Sequence, residues 1–561
     1  MKIFKLIYNE LVKQFKKPSI KIIYSLILVS AIVLPMVISK IPQDKYMNNA
    51  LESNKFLLQQ AKENTKFYED DKSIKGKMSY KYSLIEEEYM KLFVDNKIGL
   101  EDWREQQTEN FKESAYKLAS IEFAIAGYNQ DVVMQNLIGT DPNVVGSYYK
   151  MSFDKKKEVQ AQLILEKEKQ KSIIENKDYN SYTQEEITKK HEYILQHKKT
   201  IKEYEKLKVK SLQSKDGKAK LEKLKKESKD AEKSIEEFNQ DIKILQFRLN
   251  NDINYDLNNW KNNAIVTIQK EIQDLRVELM SEKQYALTAT QQGYYLTYDE
   301  YVKNYREQKE KRIETIKRIW YGLENNISDL NDVRDARSVV DGTYEIYIIL
   351  AIVMVIIMGG GIIASEFSKG TIRLLLIRPV SRWKILLSKL LSILLVGFSI
   401  VALGTGILYI TSGYVFGFDA YKIPLLETVN GSIIHIDFMK FLISKVLLSS
   451  SSLLFISVLV FSISTLAKNT ALAVGISMIL YLGVGPTVDL LISMKQTWVI
   501  NTLIPYINAS YFRLIPMTSQ SLEQGFGLQM QYNWGAIQLL IASLIMLVIT
   551  FVVFVKKDVK N

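Results

Sequence analysis

Apolar residues are distributed along this chain in two ways. Six windows, Ile22–Ser39, Ile346–Ala364, Leu390–Tyr414, Val446–Leu466, Thr470–Val488 and Trp534–Val555, contain no Asp, Glu, Lys or Arg. Each is close to the roughly 17–25 residues that a helix needs to cross a bilayer. A Lys or Arg at mid-bilayer costs about 2.5–3.5 kcal/mol, so six such windows in a chain that is 24% charged read as membrane-spanning helices. Between the first and second windows the apolar residues instead recur at helical spacing in a polar background. The expected fold class is an all-α integral membrane protein, with six transmembrane helices plus a long extracellular coiled-coil or helical-hairpin domain. The mean hydropathy of −0.05 averages these two solvents and describes neither.

Residues 154–280 are rich in Lys, Glu, Gln and Leu and poor in Gly and Pro. Leu221, Leu224, Ser228, Ala231, Ile235, Phe238, Ile242, Leu245 and Leu249 alternate by three and four, which is a seam over about four heptads. After a phase adjustment near Trp260, Ile265, Ile268, Ile272, Leu275 and Leu279 resume the rhythm. A helix over that whole stretch would be on the order of 90 Å long. Ile187, Ile194 and Ile201, spaced by seven, supply a partner, and Ser214-Lys215-Asp216-Gly217 reads as the turn of an antiparallel hairpin. Breaks at Gly139-Thr140-Asp141-Pro142 and about Thr288–Gly293 separate it from helical arms over roughly 48–126 and 298–340. The expected division is 1–40, an amphipathic leading helix and the first span; 41–343, the extracellular domain; and 344–561, the five-span core.

Charge fixes the orientation. Lys2, Lys5, Lys13, Lys16, Lys17 and Lys21 precede the first span, and Lys369, Arg373, Arg378, Arg382, Lys384 and Lys389 lie between the second and third. Lys468 sits between the fourth and fifth spans, and Lys556, Lys557 and Lys560 follow the sixth. Alternation puts all four segments on one face, and positive residues mark the cytoplasmic one. Both termini are then cytoplasmic, the lipid bilayer is the immediate partner, and the net charge of +12 calls for no nucleic acid; the Lys, Ile and Asn bias with no cysteine points to a bacterial cell membrane. The first apolar run exceeds a signal-peptide core and lacks a small-x-small cleavage site, so it reads as an uncleaved anchor. With no cysteine, the outer domain has no disulfides and the chain no thiol-linked lipid.

The segment after the second span runs Gly359-Gly360-Gly361, then Ser365-Glu366-Phe367-Ser368-Lys369-Gly370-Thr371-Ile372-Arg373-Leu374-Leu375-Leu376-Ile377-Arg378-Pro379-Val380-Ser381-Arg382-Trp383-Lys384, and Leu387-Ser388-Lys389. An acidic residue followed by Gly-Thr, Leu-Leu, Pro, Ser-Arg and Lys in this order resembles the first cytoplasmic loop of ABC-2 type exporter permeases. Asn9-Glu10-Leu11-Val12-Lys13-Gln14-Phe15-Lys16-Lys17-Pro18 is similar to the family's leading helix. The likeness covers that helix and the six-span core, not the insertion. It implies a coupling loop at 365–384 in which Glu366, Gly370, Thr371, Arg373, Pro379 and Arg382 meet an ATPase subunit, with Asn9, Glu10 and Phe15 of the leading helix beside it. It also implies a second permease copy, identical or related, and ATP with Mg on the partner rather than any cofactor here. From the residues alone, Glu366 favours the first turn of a short helix, Gly370 permits a redirection, and Ile3, Phe4, Ile7, Leu11, Val12 and Phe15 form an interfacial stripe.

The chain carries no Gly-x-x-x-x-Gly-Lys-Ser/Thr phosphate loop and no Gly-x-Ser-x-Gly elbow, and His191 and His197 lie on different faces of a helix. Neither catalysis nor a metal site is expected. Gly397, Gly404, Gly406 and Ser449–Ser452 permit close helix packing and Gly483-Gly485-Pro486 a kink; the resemblance implies short re-entrant helices over residues 494–533. The expected function is outward movement of an amphiphilic substrate such as a peptide antibiotic, lipid or drug. The alternative is a non-transporting scaffold or receptor of the phage-infection-protein type acting through its outer stalk. A neighbouring gene for a phosphate-loop ATPase discriminates the two.

Overall fold

The computed structural model describes residues 2–41, 47–99, 102–210, 215–292, 297–371, 380–429, 431–494, 496–512 and 530–556. It is mostly helical and divides into two compact units, Pro42–Ile265 and Met1–Ile41 with Val266–Asn561. The second boundary falls at Ile265, so residues 266–343 cluster with the apolar helices.

In the inserted unit, α3 (Met47–Tyr68), α4 (Ile74–Asp95), α5 (Arg104–Ile125) and α8 (Phe153–Glu175) pack in succession, with short α6 (Gln130–Gln135) and α7 (Pro142–Tyr149) between α5 and α8. The region expected as one arm is therefore three helices. Local chemistry sets several starts. Ser73 accepts from the Gly76 amide, Asp141 from Asn143 with Pro142 at the first helical position, and Ser152 from Lys155. Met78, Tyr82, Tyr116 and Phe123 fill one core, and Phe93, Phe111 and Ile174 another.

α9 (Tyr179–Lys210) and α10 (Lys215–Asn250) pair through the seam read from sequence. Ile187 and Ile194 meet Ile242 and Leu245, flanked by Ile235, Phe238 and Leu249. Lys215, Asp216 and Gly217 belong to the first turn of α10 rather than to the turn expected there, and 211–214 lie outside the described residues. The 90 Å continuous helix is also overturned: α10 stops at Asn250 and α11 (Trp260–Leu275) starts anew. Asn and Asp between them bond their own backbone instead, Asn254 to Asp256 and Asp256 to Asn258. Buried Arg248 fixes the turn by donating to the Ile253 and Asn254 carbonyls and to Asn262, its guanidinium 3.8 Å from the Tyr255 ring centre.

The other unit contains six helices long and apolar enough to cross a membrane: α2 (Pro18–Lys40), α14 (Ala336–Gly360, continued by α15, Ala364–Ser368), α16 (Arg382–Phe416), α17 (Phe438–Ala467), α18 (Thr470–Ser493) and α19 (Tyr532–Lys556). These match the six windows. α14 is central, packing on α2, α16, α17 and α18. Gly359 and Gly360 allow that approach: a Cβ would stand 2.7 Å from Val460 and 2.3 Å from Val474. Pro486 lies within α18, which runs on to Ser493. Of the stretch expected to hold re-entrant helices, the described part forms short 3-10 turns at Thr497–Asn501, Pro505–Ile507 and Ala509–Phe512, and 513–529 lie outside the described residues. Tyr506 is buried, and Gln531 donates its amide to the Tyr506 hydroxyl.

Among the described residues, the fold departs from all-α at one place. β1 (Leu425–Val429) and β2 (Ser432–Ile436) form an antiparallel hairpin with Leu425 opposite Ile436 and Val429 opposite Ser432. Asn430-Gly431 between apolar runs is a strong hairpin signal, and Gly431 has φ +76°. Tyr321 of α13 (Tyr298–Asn325) lies 3.2 Å from His435 of β2. Arg337, fully buried in the first turn of α14, holds Asp335, Ser328 and the Ile423 carbonyl.

Candidate functional site

The end of α14 is redirected by local hydrogen bonds. Ser464 of α17 donates to the Gly360 carbonyl at 2.9 Å and accepts from the Ala364 amide at 3.1 Å, bridging the broken ladder between α14 and α15. The chain turns again at Gly370, whose φ of +71° favours glycine. Between these turns α15 carries Glu366 in its first turn.

Glu366 is only 5% exposed, and it faces inward. Its carboxylate accepts from the Thr371 hydroxyl and forms an ion pair with Lys13 of α1 (Lys2–Phe15). Lys389, on the buried face of α16 and 2% exposed, stands 3.7 Å from the same carboxylate. The Lys389 ammonium donates to Glu10 of α1 at 3.0 Å and to the Ile362 carbonyl at 3.1 Å. Two carboxylates and two ammonium groups thus alternate across three elements: α1, the knuckle after α14, and α16. The set is formally neutral, which allows burial. Lys17, just beyond α1, donates to Gln14 at 3.2 Å; burial, then the nearby charges of Lys13, Lys369 and Lys389, lower its pKa.

The residues nominated from sequence separate into groups. Glu10, Glu366, Gly370 and Thr371 come together in this knot. Phe15 sits edge-on to Tyr24 at 5.5 Å, away from the charges, and Asn9 is exposed. Arg382 reaches toward the Val555 carbonyl at the end of α19. Arg373 and Pro379 lie outside the described residues. Of the apolar stripe of α1, Ile7 is buried while Phe4 is 74% exposed.

Lys13 and Lys389 were counted in sequence chiefly as topology charges, and they are the partners that matter. A signal for Lys389 was present. Ile385, Leu386, Leu390 and Ile393 around it are all buried core residues, and a lone ammonium on such a face requires an acidic partner. Lys468, between α17 and α18, adds a cation 4.7 Å from the ring centre of Phe367 beside Glu366.

A helical unit of six bilayer-length apolar helices with a charged joint at one end is the class that fold and site define. Comparison with known proteins gives the family. Residues 330–560 match the family described as protein of unknown function (DUF2705). The uncharacterized protein YhcI of Bacillus subtilis (strain 168) is 31% identical over 254 residues, 44% of this chain and 76% of that relative. The chain belongs to this family. The match begins at 330, so it leaves out the inserted unit. No solved structure matches the chain.

Proposed function

We propose that this chain is the membrane subunit of an ABC-2 type exporter, moving an amphiphilic substrate outward with energy from a separate ATPase. The observation that carries the reading is the Glu10–Lys389–Glu366–Lys13 knot, with Glu366 and Lys389 buried at its centre. An external subunit pressing on a loosely held loop would bend the loop. Pressing on one whose acidic residue is locked to α1 and α16 moves those helices together, along with α14, from which the knuckle continues. Glu366 in this reading is an internal strut rather than a docking contact, and the exposed residues around it, Ser368, Lys369 and Asn9, form the surface offered to the partner.

Basic residues beside the spans support a cytoplasmic position for this joint and both termini, an extracellular position for about 41–343, and residence in a bacterial cell membrane. Two copies, or one with a related permease, would pair with two ATPase subunits, which carry ATP and Mg.

The test is co-purification of the chain with a phosphate-loop ATPase subunit from the same cells, together with ATP turnover of the complex. Glu366→Lys is expected to abolish both, whereas the near-isosteric Glu366→Gln keeps association and slows turnover. Unchanged association and turnover in Glu366→Lys would overturn the reading. Because the chain lacks cysteine, Ser368→Cys gives a clean topological probe. It should stay unmodified by an impermeant thiol reagent applied to intact cells.

A further inference from the structure

The α9–α10 pair is divided by charge. Its distal stretches, residues 198–208 and 221–230, hold nine lysines against five acidic residues, no arginine, and Tyr204 as the one aromatic residue. The proximal stretches, 179–197 and 231–250, hold five Lys and Arg against seven acidic residues. The ion pairs differ in the same way. Lys190 meets Asp241 at 2.9 Å and Lys189 meets Glu186 at 3.2 Å in the proximal half, while Lys223 only approaches Glu227 at 3.8 Å in the distal half. All nine distal lysines whose side chains are described are exposed. Lys198, Lys202 and Lys206 stand four apart along α9, and Lys225 and Lys229 four apart along α10. Like charges at this spacing repel and weaken a helix, so the arrangement is stabilised by whatever neutralises it.

We infer that this lysine sleeve is a binding surface for a linear polyanion with spaced phosphates, of the polyol-phosphate type. The residue chemistry selects that occupant. Base-specific reading of duplex DNA favours the planar fork of arginine, and single-stranded nucleic acid favours aromatic stacking platforms; the sleeve offers no arginine and a single tyrosine. Docking on an anionic bilayer favours a helix with one apolar face outward. Here the apolar face is spent on the seam, with Ser228 and Ala231 buried in it, and lysines decorate both helices. A flexible chain of phosphates can follow both helices and takes compact ammonium point charges equally well at any register. The choice of occupant is independent of the exporter reading above, and the experiment does not use the ATPase.

The full chain in nanodiscs is titrated with poly(glycerol phosphate), with duplex DNA and phosphatidylglycerol vesicles as parallel arms at equal phosphate. Neutralising about five phosphates predicts an affinity loss of about 100-fold between about 50 and 200 mM salt. Replacing Lys198, Lys202, Lys206, Lys225, Lys226 and Lys229 with Gln should weaken poly(glycerol phosphate) binding by at least about tenfold, by the same counting of contacts. Unchanged helicity by circular dichroism confirms that the variant is folded. Neutralising six exposed lysines elsewhere, Lys62, Lys66, Lys72, Lys75, Lys157 and Lys303, should leave binding near that of the unaltered chain. The inference is overturned by absent binding at low salt, by equal losses in the two variants, or by tighter binding to DNA or vesicles.

Discussion

Two sets of ion pairs, one in each unit of this molecule, sit in opposite surroundings. In the inserted unit, ion pairs such as Lys55–Glu52 and Lys155–Glu158 sit in water, where each contributes about 0–1 kcal/mol. In the apolar unit, Lys389 and Glu366 are buried with Glu10 half-buried beside them, and Arg337 is sealed against Asp335 and Ser328. The residue types are the same, but what surrounds them decides what they do. In water a charged pair tunes a helix by tenths of a kcal/mol; away from water it dictates which elements must stay together.

The contrast is broken most directly at Lys389. Lys389→Met keeps most of the length of the side chain and removes its charge, leaving Glu10 without this ammonium and buried Glu366 with Lys13 as its remaining ion-pair partner. A loss of about 3–5 kcal/mol is expected, the range for removing one partner of a buried pair. It is read as a drop in the midpoint of thermal unfolding of the detergent-solubilised protein. Lys13, whose side chain is 55% exposed, pairs with the same carboxylate from the solvent side, so Lys13→Met should cost at most about 1 kcal/mol. Equal losses would mean that burial does not distinguish the two lysines.

Asp332 sharpens the comparison with pH. It is buried beside Asp329, accepts from the Thr267 hydroxyl at 3.0 Å, and has Arg318, held by Asp329, nearby. Burial first, then the Asp329 charge, push its pKa up to about 6. The folded state therefore keeps a proton that an unfolded Asp, with a pKa near 3.9, has already lost. That contribution is complete below about pH 4 and disappears as pH rises through about 6, with a full size of about 3 kcal/mol. Asp332→Asn should remove the dependence and raise stability at pH 7 and above. Unfolding midpoints between pH 4 and 8 that move in parallel for both proteins would contradict the assignment.

How much of this was readable from sequence follows from where each signal resides. The six apolar helices are local: a run without charge declares itself, and all six windows reappear as helices. The α9–α10 seam is also local, because Ile187 and Ile194 repeat with the period that α10 needs. The end of α10 was not read, since the heptads seemed to resume beyond Trp260 while the Asn and Asp side chains of 251–259 competed for the backbone. The hairpin at 425–436 carries an Asn-Gly signal in its sequence, but its two apolar runs are short and sit between two charge-free windows whose period dominates the segment. Within the candidate site, the importance of Glu366 was visible through the spacing of its loop motif. Its burial was not, because Lys13 and Lys389 are 353 and 23 positions away in the chain, and only packing brings them to one carboxylate.

The smallest expected effect lies at the start of α8. Lys155 pairs with Glu158 at 2.8 Å, three residues apart, with side chains 51% and 55% exposed. Solvent screens that attraction to a few tenths of a kcal/mol. Lys155 also places a positive charge in the first turn, where the helix dipole disfavours it by a comparable amount, and Ala is the better helix former. The terms cancel or slightly reverse, so Lys155→Ala should leave stability within about 0.5 kcal/mol of the unaltered chain. Ser152→Ala, by contrast, removes the side chain that accepts from the Lys155 amide and should cost about 1 kcal/mol. Hydrogen exchange of the first-turn amides of α8 separates the two: faster exchange in Ser152→Ala, little change in Lys155→Ala. If neutralising Lys155 loosened that turn as much as removing the cap, the exposed pair would be acting as a buried one does, and the division between exposed and buried pairs would fail.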